Sequence, residues 1–96
     1  MDKVQVLGEF FFSQVQGIPI YDNGGRRVGQ LRDLAIRWEG GTPKATAIKY
    51  AKGVNELIPV EQVDHFDQVG VRLKGPLAAE RLVPLQPDEI PRRLWR

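Results

Sequence analysis

The apolar residues of this chain recur mostly at every second position, and turn-forming residues interrupt them at intervals of roughly 8–12 residues. A helix would require an apolar period of 3.6 residues, whereas alternation is typical of half-buried strands. Short strands at this spacing favour a sandwich or a barrel. We therefore predict an all-β fold, a small and strongly bent β-barrel with one or two short helical turns and an extended C-terminal tail.

Tight turns divide the predicted strands. The segment Asp22–Gly25 contains Asn23-Gly24, a dipeptide that readily adopts the positive φ angles of a hairpin turn. It joins a strand over Ile18–Tyr21 to a long arm over Arg27–Trp38. Within that arm, Gly29 predicts a bulge or bend of the kind that turns a barrel corner.

The strand predicted after the next turn, Glu39–Pro43, runs over Lys44–Tyr50. Alternation along it gives one face with Thr46, Ile48 and Tyr50 and another with Ala45 and Ala47. Small residues against larger ones fill a tapering barrel. The later elements that we predict are strands over Asn55–Val60, Asp64–Gln68 and Val71–Lys74, a helical turn or loop at Glu61–Val63, and a helical turn or two in Leu77–Arg81.

Ninety-six residues are enough for one domain with a modest core. Proline becomes frequent near the end of the sequence, at Pro76, Pro84, Pro87 and Pro91. Because proline lacks the N–H donor of a helix or a strand ladder, we expect an extended linker from Pro84 onward. The expected organisation is one domain over residues 1–80 and a Pro/Arg-rich linker or docking tail over residues 81–96.

The net charge of +2 is unevenly distributed. Residues 1–80 carry ten positive and ten negative side chains, so the whole excess lies in residues 81–96. A nucleic-acid-binding domain usually carries a continuous basic stripe. Here Asp33 and Glu39 interrupt the run of arginines near Trp38, and a solvated barrel face is the simpler interpretation of that segment.

The absence of cysteine excludes disulfides, thiolate nucleophiles and cysteine-based metal sites. It fits a reducing compartment, and we expect a cytoplasmic location. No stretch approaches the roughly 20 apolar residues of a membrane span, and the N-terminal residues do not have the pattern of a signal peptide. We therefore expect no direct membrane insertion.

Few residues are suited to catalysis. His65 is the single histidine, and with Asp67 beside it the pair is too small for a typical zinc site, which needs about three protein ligands. Ser13, the single serine, has no nucleophile-elbow context. The glycine-rich segment 24–29 lacks the Lys-Ser/Thr of a P-loop. We expect no enzyme, no catalytic or metal-binding residue and no cofactor, with a small enzyme centred on His65 as the weakest alternative.

Several aromatic and basic residues are candidates for binding a partner. In an extended segment neighbouring side chains alternate, so the three consecutive phenylalanines at 10–12 cannot all face one core. Trp and Arg are frequent hot-spot residues of interfaces. The candidate interaction residues are Phe10, Phe11, Phe12, Trp38, Arg92, Arg93 and Trp95.

The middle of the chain resembles the PRC-barrel family. The resemblance covers about residues 12–74, and four segments in order carry it: Gly17–Asp22 with Gly24-Gly25, Arg27–Leu34, Leu57–Val63 and Gly70–Leu73. It implies a small, strongly bent β-barrel without a family-wide catalytic residue.

Segments 7–15, 38–41 and 87–95 are most similar to the PRC-barrel module that precedes CBS regions in MgtE-like magnesium-transporter proteins. The resemblance implies a non-catalytic interaction module that binds a protein partner or a neighbouring domain of a larger cytoplasmic system, such as a magnesium-transporter-associated protein. Open sheet edges and surplus aromatic residues favour a homodimer. The alternative is an RNA- or ribosome-associated module similar to the barrel of the ribosome maturation factor RimM.

Overall fold

The computed structural model describes residues 16–91, and this part of the chain folds into nine strands and two turns of 3-10 helix. The prediction of a small, bent all-β fold with short helical turns is confirmed. The strands are β1 (Pro19–Tyr21), β2 (Arg27–Gln30), β3 (Asp33–Glu39), β4 (Thr42–Lys49), β5 (Glu56–Pro59), β6 (Val63–Phe66), β7 (Val71–Leu73), β8 (Val83–Pro84) and β9 (Glu89–Pro91). The helical turns are Val60–Gln62 and Ala79–Arg81.

The first sheet has the strand order β2-β1-β7-β6. Strands β1 and β2 form the predicted hairpin, and its turn is stabilised by Asp22, whose Oδ1 accepts hydrogen bonds of 2.9 Å from the backbone N–H groups of Gly24 and Arg26. Gly25 completes the turn with a φ of +85°. Strand β7 pairs parallel to β1 and antiparallel to β6, so a distant part of the sequence closes this sheet.

The arm predicted over Arg27–Trp38 is divided between two sheets. Its corner is at Leu31 and Arg32, whose N–H groups donate 2.8 Å hydrogen bonds to the residue before β1 and to the last residue of β4, respectively. Gly29 lies just before this corner, and a Cβ there would overlap the carbonyl oxygen of Tyr50. The predicted bend is therefore present, and glycine is needed because the two backbones approach too closely for a side chain.

The second sheet has the order β8-β5-β4-β3-β9, and its centre is the long β3–β4 hairpin. In the register of this hairpin Ala35 pairs with Ala47 while Ile36 pairs with Ala45, so Thr46 is the extra residue of a bulge. The predicted faces of this strand are consequently wrong for Ala45 and Thr46, whereas Ile48 and Tyr50 share the core side and Ala47 lies opposite them, as predicted. Ala45 and Ile48 both belong to the main core, because the bulge reverses the alternation between them.

The main core lies between the two sheets. Its largest fully buried side chains come from both layers and from the corner that joins them: Ile20, Leu31, Leu34, Ile36, Ile48, Ile58 and Val71. Phe66 and Leu73 of the first sheet complete the contact. One apolar layer therefore holds the sheets face to face, as in other small β-sandwiches and barrels.

The structure differs from the expected linker in residues 83–91, which we call the C-terminal strap. Strand β8 pairs with β5 and strand β9 pairs with β3, so the strap connects the two edges of the second sheet. Pro84 and Pro91 lie in these edge strands, where a missing N–H is tolerated. Val83 packs against a second apolar cluster formed by Ala35, Ala47 and Leu57.

Candidate functional site

A small apolar patch lies at the end of the β3–β4 hairpin. Trp38 of β3 is paired with Pro43 of β4, and Ile90 of β9 is paired with Ile36, two residues before Trp38. Paired residues and residues two apart on a strand lie on the same side of the sheet. Trp38, Pro43 and Ile90 therefore share the side on which Ile36 enters the core. Trp38 is 51% exposed and Ile90 is 39% exposed, and we call these three residues the hairpin patch.

The turn between the strands fixes the composition of this patch. Gly40 and Gly41 have φ angles of +59° and +79°, both in the left-handed region that a two-residue hairpin turn requires. Such a turn pairs Glu39 with Thr42, and the next pair outward from the turn is Trp38 with Pro43. The double glycine thus places the tryptophan opposite a second apolar residue.

Charged side chains occupy the opposite side of the same hairpin. Arg37 Nε lies 3.0 Å from Asp88 Oδ2, and its Nη2 lies 3.3 Å from Glu89 Oε2. Glu39 is shared, because its Oε2 is 3.9 Å from Arg37 Nη1 and its Oε1 is 3.4 Å from Lys44 Nζ. The exposed pairs contribute little to stability. They give each positive side chain of the hairpin, Arg37 and Lys44, a carboxylate partner.

Glu89 is the buried member of this network, with a side chain that is 5% exposed. Its Oε2 accepts hydrogen bonds from the Thr46 hydroxyl and the Arg37 guanidinium, and its Oε1 accepts one of 2.8 Å from the backbone N–H of Gln86. Both carboxylate oxygens thus have donors from β3, β4 and the strap. Glu89 fastens the strap to the outer face of the second sheet.

A groove of about 400 Å³ lies between the strap and strands β4 and β5. Ala47, Pro59 and Val83 contribute apolar surface to it, and charged groups of both signs surround them. Glu89 also lines the groove, but its oxygens already have donors. The charges around the groove are mixed, and its buried carboxylate already has hydrogen-bond donors. The groove therefore offers no group that would select a particular ligand.

His65 and Asp67 lie together on the first sheet, as their spacing in a strand predicts. His65 Nε2 is 2.8 Å from Asp67 Oδ2, while Asp67 Oδ1 accepts hydrogen bonds from the backbone N–H groups of Val69 and Gly70. The hydrogen bond from His65, followed by the two backbone hydrogen bonds, lowers the pKa of Asp67 below its ordinary value of 3.8. This arrangement closes the β6–β7 turn.

Ser13, the candidate nucleophile, lies outside the described residues. Within residues 16–91 no group of three or more His, Cys, Asp or Glu side chains could hold a metal ion.

Of the candidate interaction residues, Trp38 alone lies within residues 16–91, and it is half exposed. Six others lie outside the described residues: Phe10, Phe11, Phe12, Arg92, Arg93 and Trp95. Sequence reasoning missed Pro43 and Ile90. Counting outward from the double glycine would have paired Pro43 with Trp38. Ile90 had no such signal, because its strand lies in a segment that was expected to be a linker.

In the part of the chain that the structure describes, no helix has the length and apolar composition needed to cross a membrane. Comparisons with protein-family models, with curated proteins and with solved structures find no match to this chain.

Proposed function

We propose that this chain is a non-catalytic interaction module of the PRC-barrel type that binds a protein partner through the hairpin patch. The observation that carries the proposal is the 51% exposure of Trp38 on the side of the sheet that elsewhere packs into the core. Neighbouring exposed apolar side chains mark interaction surfaces, and tryptophan is among the residues most enriched in interface hot spots.

The surroundings of the hairpin patch also suit an interface. Arg37, Glu39 and Lys44 project from the opposite side of the same two strands. They leave Trp38, Pro43 and Ile90 as the apolar side of the hairpin end. Interface centres are depleted of charged residues and enriched in aromatic ones, so a partner with an apolar side chain opposite Trp38 would match this surface.

The PRC-barrel part of the proposal is supported by the order of the four sequence segments and by the bent all-β fold. The absence of cysteine supports a cytoplasmic location. The segments similar to MgtE-like proteins support a place in a larger system such as a magnesium-transporter-associated protein.

The partner that we propose to test first is a second copy of this chain. In sedimentation velocity, we expect the full chain to show a concentration-dependent dimer and Trp38→Ala to weaken dimerisation by at least about 30-fold, the effect of a hot-spot residue. Val69→Ala is the matched control, because Val69 is 80% exposed but lies in the β6–β7 turn of the other sheet. A dimer that Trp38→Ala leaves intact, or one that Val69→Ala weakens equally, would contradict binding through the hairpin patch. A strict monomer would exclude the homodimer.

A further inference from the structure

Away from the hairpin patch, four side chains form a row across the outer face of the first sheet. Tyr21 pairs with Arg27 of β2 on one side and with Arg72 of β7 on the other, and Arg72 pairs with His65 of β6. Side chains of paired residues project from the same side of a sheet. We call these residues the arginine–tyrosine row.

The row faces away from the core. Its sequence neighbours Ile20, Phe66 and Val71 are buried between the sheets, so residues one position away point outward. Tyr21 is half-buried. Arg27, Arg72 and His65 are exposed. In register, Tyr21 thus lies between two arginines, one on each of the strands that flank β1, and neighbouring strands are spaced about 4.8 Å apart.

The carboxylates of the two adjoining turns, Asp22 and Asp67, are engaged in hydrogen bonds. Asp67 accepts hydrogen bonds from His65 and from two backbone N–H groups, and Asp22 accepts two from its own turn. Asp64 is the extra residue of a bulge in β6 and lies outside the register of the row. In the row itself, the two arginines are therefore not paired in register with an acidic residue.

A shallow depression of about 200 Å³ adjoins the row. Tyr21, His65, Asp67 and Arg72 line it together with Val69, which is 80% exposed. The Asp67 carboxylate already accepts hydrogen bonds at both oxygens. The remaining lining supplies an aromatic ring, an apolar side chain and a cation, and these are groups against which a planar ring can stack. The depression supplies a seat for one flat group beside two cationic side chains.

We propose that the arginine–tyrosine row binds single-stranded nucleic acid. One base stacks on Tyr21 in the depression, and the phosphates on either side of that base contact Arg27 and Arg72. Exposed β-sheet faces with aromatic and arginine side chains bind single strands in this manner. An acidic peptide would satisfy the arginines but leave the depression beside Tyr21 unfilled.

The test is fluorescence anisotropy of a labelled 12-nucleotide oligouridylate with the full chain at low salt. We expect Arg27→Gln and Arg72→Gln each to weaken binding about tenfold and to reduce the slope of log K against log salt by about 0.7. Tyr21→Leu should weaken binding at least fivefold through lost stacking, whereas Tyr21→Phe should change it by less than about twofold.

The control for charge is Lys52→Gln, which removes one positive charge from an exposed turn between β4 and β5. Binding that is undetectable at low salt overturns the proposal. An equal loss in Lys52→Gln and Arg72→Gln overturns it too, because the attraction would then be general. Competition by polyglutamate as strong as by unlabelled oligonucleotide would indicate a surface for acidic peptides instead.

A deoxythymidylate strand of the same length distinguishes DNA from RNA as the preferred single strand, and the proposal is supported if either binds with the expected pattern of variants. Circular dichroism checks the fold of each variant. If Tyr21→Leu does not fold, Tyr21→Phe and the two arginine variants still decide the outcome. Trp38→Ala should bind the oligonucleotide as the wild type does, because the hairpin patch lies on the other sheet.

Discussion

The two sheets share one core, but their outer faces are built differently. On the first sheet the outward side chains include Arg27, Arg72 and His65, all exposed. On the second sheet the outward positions Ala35 and Ala47 are each 1% exposed, because the strap covers them. Alanine leaves room for a second layer of backbone, whereas long polar side chains keep a sheet face in water. Side-chain size thus decides which face is closed.

This difference separates the two proposed surfaces. Among the described residues, the outer face of the first sheet carries exposed polar side chains, and the arginine–tyrosine row lies there. The strap covers the outer face of the second sheet. Exposed apolar side chains of this sheet lie instead at the end of the hairpin, at Trp38 and Ile90. A variant that exposes the outer face of the second sheet, or covers that of the first, would remove this difference between the sheets.

The largest effect on stability is expected from Glu89→Ala, which releases the strap. The change removes three hydrogen bonds, from Thr46, Arg37 and Gln86, to a carboxylate that is 5% exposed, and should lower the free energy of unfolding by about 3 kcal/mol. Urea denaturation followed by tryptophan fluorescence measures the loss. Glu89→Gln retains an acceptor and should cost less than Glu89→Ala.

Asp88→Ala is the matched control for the strap. Asp88 also pairs with Arg37, but its side chain is 64% exposed, so the expected loss is below about 1 kcal/mol. Equal losses in Asp88→Ala and Glu89→Ala would show that the buried carboxylate does not fasten the strap.

A smaller effect is expected from enlarging the covered face. Ala47→Leu places three additional carbon atoms under the strap and should lower the free energy of unfolding by about 2 kcal/mol, because a packed layer resists overfilling. Arg72→Leu makes an outward change on the open sheet and should stay within about 0.5 kcal/mol. Thermal unfolding of the two variants compares the faces directly, and similar losses in both would contradict the assignment of one covered and one open face.

The sequence predicted the parts of the fold that depend on neighbouring residues. The turn at Asp22–Gly25 follows from the preference of Asn-Gly for a tight turn, and the corner near Gly29 follows from a glycine in a strand pattern. The bulge at Thr46 was missed, because an extra residue is defined by the partner strand and leaves no mark in the alternation. Strand β9 was missed for a similar reason, since its partner β3 lies some fifty residues earlier.

The residues of the candidate sites likewise divide into those that neighbouring residues predict and those that depend on a distant strand. Trp38 was recognised from its residue type alone, but its apolar neighbour Ile90 comes from β9 and could not be placed. The arginine–tyrosine row was not visible either, because it joins β2, β1, β7 and β6, of which β1 and β7 are paired although they lie about fifty residues apart in sequence. Spacing along the chain predicted only the short-range contact, between His65 and Asp67.

The smallest effect is expected in the β6–β7 turn, where hydrogen bonds lower the pKa of Asp67 in the folded chain. A carboxylate whose folded pKa is depressed stabilises the fold above its unfolded pKa, and this contribution is lost as the pH falls through the folded pKa. The urea midpoint of the wild type should therefore fall below about pH 4, and Asp67→Asn should lower the midpoint at neutral pH and weaken its dependence on acid.

Asp64→Asn, on β6 and outside the turn, is the control that should retain the wild-type dependence. Because His65 is the largest cause of the lowered pKa of Asp67, His65→Ala should bring the folded pKa closer to the unfolded one and make the acid-induced loss smaller. An unchanged acid profile in both Asp67→Asn and His65→Ala would show that the pair does not stabilise the turn.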